Sequence, residues 1–145
     1  TGGQSGPTTP VDGRTTTTPF GSFEHPFNLV HLAASAGATY VARWTTLDGR
    51  RLQHGMMDAM SHEGFTFVEV LAPCPTNYGR RNKIGDGLDE LRTYADLARI
   101  RHGADPKDTA IVPGHPFAVG TFVDIEKPTF HDLYAAKVAQ LAGGG

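Results

Sequence analysis

The run Phe65-Thr66-Phe67-Val68-Glu69-Val70-Leu71 is apolar on both faces apart from Thr66 and Glu69. A strand of that kind has no face to give to water, so it is expected inside a parallel sheet with helices above and below. The flanking sequence offers such helices. From Pro26 to Ala36, the residues Leu29, Leu32, Ala33 and Ala36 recur at i, i+3, i+4 and i+7, with Pro26 suited to a first helical turn and Gly37 to a C-terminal cap. Ala38 to Ala42 reads as a short strand, and Leu52, Met56, Ala59 and Met60 mark a second amphipathic helix that Gly64 ends. Met56, Met57 and Met60 are expected in the core rather than as a ligand set. The order helix, strand, helix, strand predicts an α/β three-layer sandwich built on a mostly parallel sheet.

Further along, Asp86 followed by Leu88, Leu91, Ala95 and Ala98 predicts a third helix with Asp86 as its N-cap. Residues 102–117, rich in Pro, Gly and His, are expected as loop, and Ala118 to Ile125 as a strand near a sheet edge. Thr129 with Asp132 forms a capping-box pattern before Phe130, Leu133, Tyr134, Val138 and Leu141, which predicts a terminal helix. Residues 1–24 are dominated by Gly, Thr, Pro and Ser and are expected to be irregular. The chain thus divides into an irregular segment (1–24), a βα core (25–101) and a C-terminal strand and helix (102–145). All lie within one domain, since 145 residues with 39% hydrophobic content bury one core and not two.

A net charge of −2 with scattered Lys and Arg argues against nucleic acid or an anionic membrane as the main partner. No apolar run reaches the roughly 20 residues of a membrane-spanning helix and no secretory pattern opens the chain, so a cytoplasmic protein is expected. The single cysteine, Cys74, forbids an intrachain disulfide and suits a reducing compartment. Beginning at Thr1, without methionine and inside a glycine-rich motif, the chain reads as a fragment or a processed piece.

Ligand sites of open parallel sheets collect beyond the C-terminal strand ends, which directs attention to residues 72–82. Cys74 stands there between Pro73 and Pro75, in a backbone that the two prolines stiffen. An inert buried thiol, a nucleophile with a neighbouring base, and a metal ligand all remain open readings. Gly2, Gly3 and Gly6, with Gln4, Ser5, Thr8 and Thr9, form either a disordered tail or a loop that wraps a ligand with N–H and hydroxyl groups. Arg80, Arg81, Asn82 and Lys83 make the tightest basic cluster, a solvated patch or a docking point for anions. The seven histidines show no metal spacing and read as capping or surface residues.

Several stretches together carry a resemblance. Thr1-Gly2-Gly3-Gln4-Ser5-Gly6-Pro7-Thr8-Thr9-Pro10, Pro26 to Leu29, Ala36 to Arg43, His62 to Phe65, Glu69 to Thr76, Tyr78 to Asn82 and Gly120 to Asp124 resemble, in order and spacing, the β subunits of 2-oxoacid:ferredoxin oxidoreductases. The resemblance implies the C-terminal half of a domain that binds thiamine diphosphate, with Mg2+ bridging the phosphates and Thr1, Gly2, Gly3 and Gln4 beside the reactive ring. It implies that Cys74 is one ligand of a 4Fe-4S cluster whose other three cysteines lie in the N-terminal half. Gly85-Asp86-Gly87 imitates the family's metal motif, but no Asn follows at the required distance; the Mg2+ ligands are expected upstream of Thr1.

The implied activity is oxidative decarboxylation of 2-oxoglutarate, or a related 2-oxo acid, to an acyl-coenzyme A with electrons passed to ferredoxin. The implied partners are the α subunit, which holds the acid that activates the cofactor, and ferredoxin, with the 2-oxo acid and coenzyme A as substrates. No residue of this chain is assigned as a general acid or base. A pyruvate-type enzyme, a non-oxidative thiamine-dependent decarboxylase and a non-catalytic module are the competing classes.

Overall fold

The computed structural model describes residues 2–143. Residues 2–24 contain no helix or strand, yet they are internally bonded. Thr16 N–H donates to Gly3 O, Ser22 N–H to Gly13 O, and Thr15 and Ser22 are buried. Helix α1 (Leu29–Ser35) starts at Asn28, whose Oδ1 accepts the His31 N–H at 3.2 Å, so Pro26 precedes the helix instead of opening it. Gly37, at φ +89°, provides the left-handed residue that ends it.

Strand β1 (Tyr40–Thr45) is buried at all six positions. Helix α2 (Gly49–Ser61), strand β2 (Thr66–Leu71), a single π-helical turn (Pro75–Gly79) and helix α3 (Gly87–Leu97) follow. Strand β3 (Ala98–Ile100), a 3-10 turn (Pro106–Thr109), strand β4 (Phe117–Asp124) and helix α4 (Phe130–Ala142) complete the order.

The sheet runs β2-β1-β4-β3; β1 pairs with β2 and β4 with β3 in parallel, and β1 with β4 antiparallel. On one face Val30 and Ala33 of α1 pack with Val41 and Phe122. On the other, Leu52 and Ala59 of α2 and Tyr94 and Leu97 of α3 cover Tyr40, Ala42, Trp44, Phe117 and Val119. That is the expected three-layer α/β sandwich. No helix among the described residues is long and apolar enough to cross a membrane.

Four expectations are corrected. The Phe65–Leu71 run is not enclosed: β2 lies at the sheet edge and is only half-buried, because no described strand pairs with its outer side. The C-terminal strand is not at an edge but lies between β1 and β3. Met56, Met57 and Met60 are exposed, not core; α2 turns Leu52, Gly55 and Ala59 inward, and Gly55 lets the helix close on the Trp44 indole, where a Cβ would approach Nε1 at 2.6 Å. In α1 the expected Ala33 is buried, but its buried partner is Val30, and Leu32 and Ala36 are exposed.

Candidate functional site

Where β1 and β2 end, the chain encloses a cavity of about 560 Å³. Its walls come from regions distant in sequence, among them Gly6 to Pro10 without Pro7, Pro26 to Asn28, the strand residues Arg43 and Glu69, the segment bearing Cys74 and Tyr78, Glu90 with Tyr94 of α3, and the stretch from Ala110 to Phe117 without Pro116. This is the position expected of ligand sites in an α/β sheet.

The floor is held by charge. Arg43 is 1% exposed; its Nε donates to Glu69 Oε2 at 2.6 Å and its Nη1 to the carbonyls of Thr109 (2.7 Å) and Ala118 (3.3 Å). A buried guanidinium without these acceptors would be costly, so the pair and the two carbonyls act as one unit that ties β1, β2 and the 3-10 turn together. Asn28 extends the network: its Nδ2 donates to Pro106 O at 2.9 Å, and its Oδ1 accepts from the Thr109 hydroxyl at 3.2 Å.

Cys74 follows the edge strand and is exposed, with its thiol free. Its main chain is held at both ends: the N–H donates to Glu90 Oε2 at 2.7 Å, and the carbonyl accepts the Gly79 N–H at 2.9 Å. Of the open readings of Cys74, the buried thiol is excluded by this exposure. Burial pushes the Tyr78 and Tyr94 phenols above their ordinary range and the Glu90 carboxylate adds to it in both, so each stands neutral at physiological pH. Asp86 caps α3 through Leu88 and Asp89 N–H groups, as expected.

The glycine-rich segment meets the cysteine segment directly. Gly3, at φ +69°, lies against the Asn77 amide so closely that a Cβ there would overlap it. Arg81 Nε donates to Asn77 Oδ1 at 2.7 Å and its Nη2 to the Thr16 hydroxyl at 3.3 Å. Asn82 and Arg14 exchange two bonds, Arg14 N–H to Asn82 Oδ1 (2.8 Å) and Asn82 Nδ2 to Arg14 O (2.9 Å). Arg81 and Asn82 are thus engaged within the fold and not simply a solvated basic patch.

Thr1 lies outside the described residues. Gly2, Gly3 and Gln4 are described but do not line the cavity, whereas Gly6, Thr8 and Thr9 do. The residues that sequence reasoning missed are Arg43, Glu69 and Glu90; a lone charge inside an otherwise apolar strand, as at Arg43 and Glu69, was the available signal. Among the described residues no three of His, Cys, Asp and Glu converge as a cation site.

Residues 1–70 match the family model for the thiamine pyrophosphate enzyme, C-terminal TPP binding domain. The chain is 40% identical over 130 residues to 2-oxoglutarate synthase subunit KorB of Methanocaldococcus jannaschii, covering 90% of this chain and 48% of that protein. With subunit KorB of Methanothermobacter marburgensis it shares 33% identity over 143 residues, 99% of this chain and 50% of the relative, so that similarity includes the Cys74 segment. A solved 2-oxoglutarate:ferredoxin oxidoreductase from Magnetococcus marinus, with 2-oxoglutarate, coenzyme A and succinyl-CoA bound, superposes with a TM-score of 0.74 at 28% identity, over 98% of this chain and 48% of that one. The chain spans about half the length of the curated relatives it matches. With 36% identity over 76 residues to a 2-oxoacid:ferredoxin oxidoreductase subunit beta of Saccharolobus solfataricus as well, the chain is a homologue of the β subunits of 2-oxoacid:ferredoxin oxidoreductases, of the 2-oxoglutarate synthase type.

Proposed function

We propose that this chain is the part of a 2-oxoglutarate:ferredoxin oxidoreductase β subunit that joins the thiamine diphosphate pocket to an iron–sulfur centre. The observation that carries the reading is the direct contact between the Gly2–Gln4 segment and the Cys74 segment at Gly3 and Asn77, braced by Arg81, which bonds Asn77 and the hydroxyl of Thr16, whose N–H in turn donates to Gly3 O. The residues suit the cofactor: among the described residues Gly2, Gly3 and Gln4 donate no main-chain hydrogen bond, and a Cβ at Gly2 would meet nothing within 4 Å. Open N–H groups of that kind are what a close-lying anionic or polar ligand requires. The Gln4 amide can both donate to and accept from a 2-oxo acid.

When bound, thiamine diphosphate supplies the carbon nucleophile that allows the 2-oxo acid to lose CO₂. This chain's contribution is to hold the approach to the reacting carbon with Thr1 to Gln4 and to present the Cys74 thiolate as one ligand of a 4Fe-4S cluster. The remaining thiolates must come from outside this sequence, which contains one cysteine. The Mg2+ ligands are likewise assigned upstream of Thr1. The α subunit, ferredoxin and coenzyme A complete the system, and the cytoplasm is its proposed compartment.

The test is turnover of the enzyme assembled from the full-length β subunit and its α subunit, with coenzyme A and a reducible dye. Faster turnover with 2-oxoglutarate than with pyruvate is expected. Equal or better rates with pyruvate would overturn the substrate assignment, and full activity in protein free of iron would point to a non-oxidative decarboxylase.

A further inference from the structure

Glu90 is nine-tenths buried at 7% exposure, and the proposed reaction gives it no task. Its two carboxylate oxygens differ sharply. Oε2 accepts the Cys74 N–H at 2.7 Å, whereas Oε1 is buried without any hydrogen-bond partner among the described residues. Oε1 lies over Gly79, where a Cβ would overlap it. A glycine is therefore required at 79 for the carboxylate to take this place.

The reason for such an arrangement lies in the flanking prolines. Pro73 and Pro75 have no N–H, so Cys74 has the single main-chain donor of its tripeptide. Leaving such a donor buried and unmet costs about 1–3 kcal/mol. The acceptor that meets it stands one turn into α3, a helix whose start is fixed by a reciprocal capping box between Asp86 and Asp89. Glu90 N–H donates to Asp86 O at 3.1 Å, so the anchor belongs to the most tightly determined part of the helix. With the Cys74 carbonyl also held by Gly79 N–H, the peptide is clamped on both sides while its thiol stays exposed.

We infer that Glu90 is the positioning residue for Cys74: it fixes the cysteine main chain against α3 and so sets the direction in which the thiolate reaches the cluster, with Gly79 as its seat. This rests on the reading of Cys74 as an iron ligand. Groups that orient a ligand in this way typically affect metal affinity by about 10–100-fold.

The experiment uses the assembled two-subunit enzyme with the variants Glu90→Ala, Glu90→Gln, Gly79→Ala and Cys74→Ala. Iron release to a chelator, the EPR spectrum of the reduced cluster and thiamine diphosphate affinity are measured for each. Glu90→Ala and Gly79→Ala are expected to release iron about 10-fold faster or more and to alter the EPR spectrum, with thiamine diphosphate affinity unchanged. Glu90→Gln, which keeps an oxygen acceptor for the Cys74 N–H, is expected to restore slow release.

Unchanged iron release and spectrum in Glu90→Ala would overturn the inference. So would parallel loss of iron and thiamine diphosphate, which marks a general support of the fold, or a Glu90→Gln variant as leaky as Glu90→Ala. Cys74→Ala separates the two levels. If it keeps its iron, the ligand reading itself fails; if it loses iron while Glu90→Ala does not, only the role of Glu90 falls.

Discussion

Helices α3 and α4 are both opened by a capping box, Asp86 with Asp89 and Thr129 with Asp132, yet α3 buries Glu90 and half-buries Tyr94 and Leu97 while no side chain of α4 is buried. The more apolar of the two is the one left outside: Phe130, Leu133, Tyr134, Val138 and Leu141 of α4 are all exposed. Capping is settled within four residues and is indifferent to what the helix later meets. Burial depends on partners, and α3 has the sheet and the cysteine segment to lie on. The difference teaches that a well-formed start fixes where a helix begins and says nothing about its anchorage.

The largest test of this contrast concerns the floor that α3 helps to close. Arg43→Ala leaves Glu69 and the Thr109 and Ala118 carbonyls unmet and should cost about 3–5 kcal/mol in urea unfolding, with the double variant Arg43→Met/Glu69→Leu losing less. A cost below about 1 kcal/mol would mean that the buried pair does not hold the strands and the 3-10 turn together.

Next comes a pair of tyrosines. Tyr94 stands edge-on to Phe117, ring centroids 6.4 Å apart, and Tyr94→Ala should cost about 2–4 kcal/mol. Tyr134→Ala on α4 should stay within about 0.5 kcal/mol. Equal effects would erase the distinction between the helices.

Smaller effects are expected at the caps. Asp86→Ala should lower the midpoint of the cooperative melt, because α3 belongs to the core, whereas Thr129→Ala should lower helical ellipticity and leave the midpoint in place. Acid should act in the same pattern and more weakly. The Asp89 and Leu88 N–H groups hold the Asp86 carboxyl below the usual carboxylate range, and the Thr129 hydroxyl, aided by its main chain, does the same for Asp132. Both carboxyls favour folding in their ionised form. Their contribution is present above about pH 4 and is lost as pH falls through the lowered value. Circular dichroism against pH should show α4 losing helicity in that window, together with a small fall in the melting midpoint of the core that is absent in Asp86→Ala.

The parts of the fold that could be read from sequence are those decided locally. Asn28 was overlooked in favour of Pro26, but Gly37, Asp86 and the Thr129–Asp132 box were legible because each acts through neighbours in the chain. β3 was not, since Ala98 to Ile100 leaves α3 without a turn signal and becomes a strand only by pairing with β4. In α2 two adjacent apolar stripes compete, and the smaller one wins because Gly55 admits Trp44. For the candidate site the resemblance pointed to Thr1 to Gln4 and to Cys74; of these, Cys74 stands on the cavity wall and Gly2 to Gln4 do not. Glu90 was invisible, one ordinary acid in Asp89-Glu90-Leu91-Arg92, since its importance arises from a cysteine on another element.

The fit of Gly3 against Asn77 has a consequence for how such sequences vary. Because no side chain can stand at position 3 while the Asn77 amide occupies that space, and because φ +69° independently disfavours one, the two positions are not free to drift separately. A family lineage that relaxes one should relax the other, together with Arg81, which holds Asn77 in place. The chemistry assigned to the two ends of this contact would then be inherited as a single unit, gained or lost together.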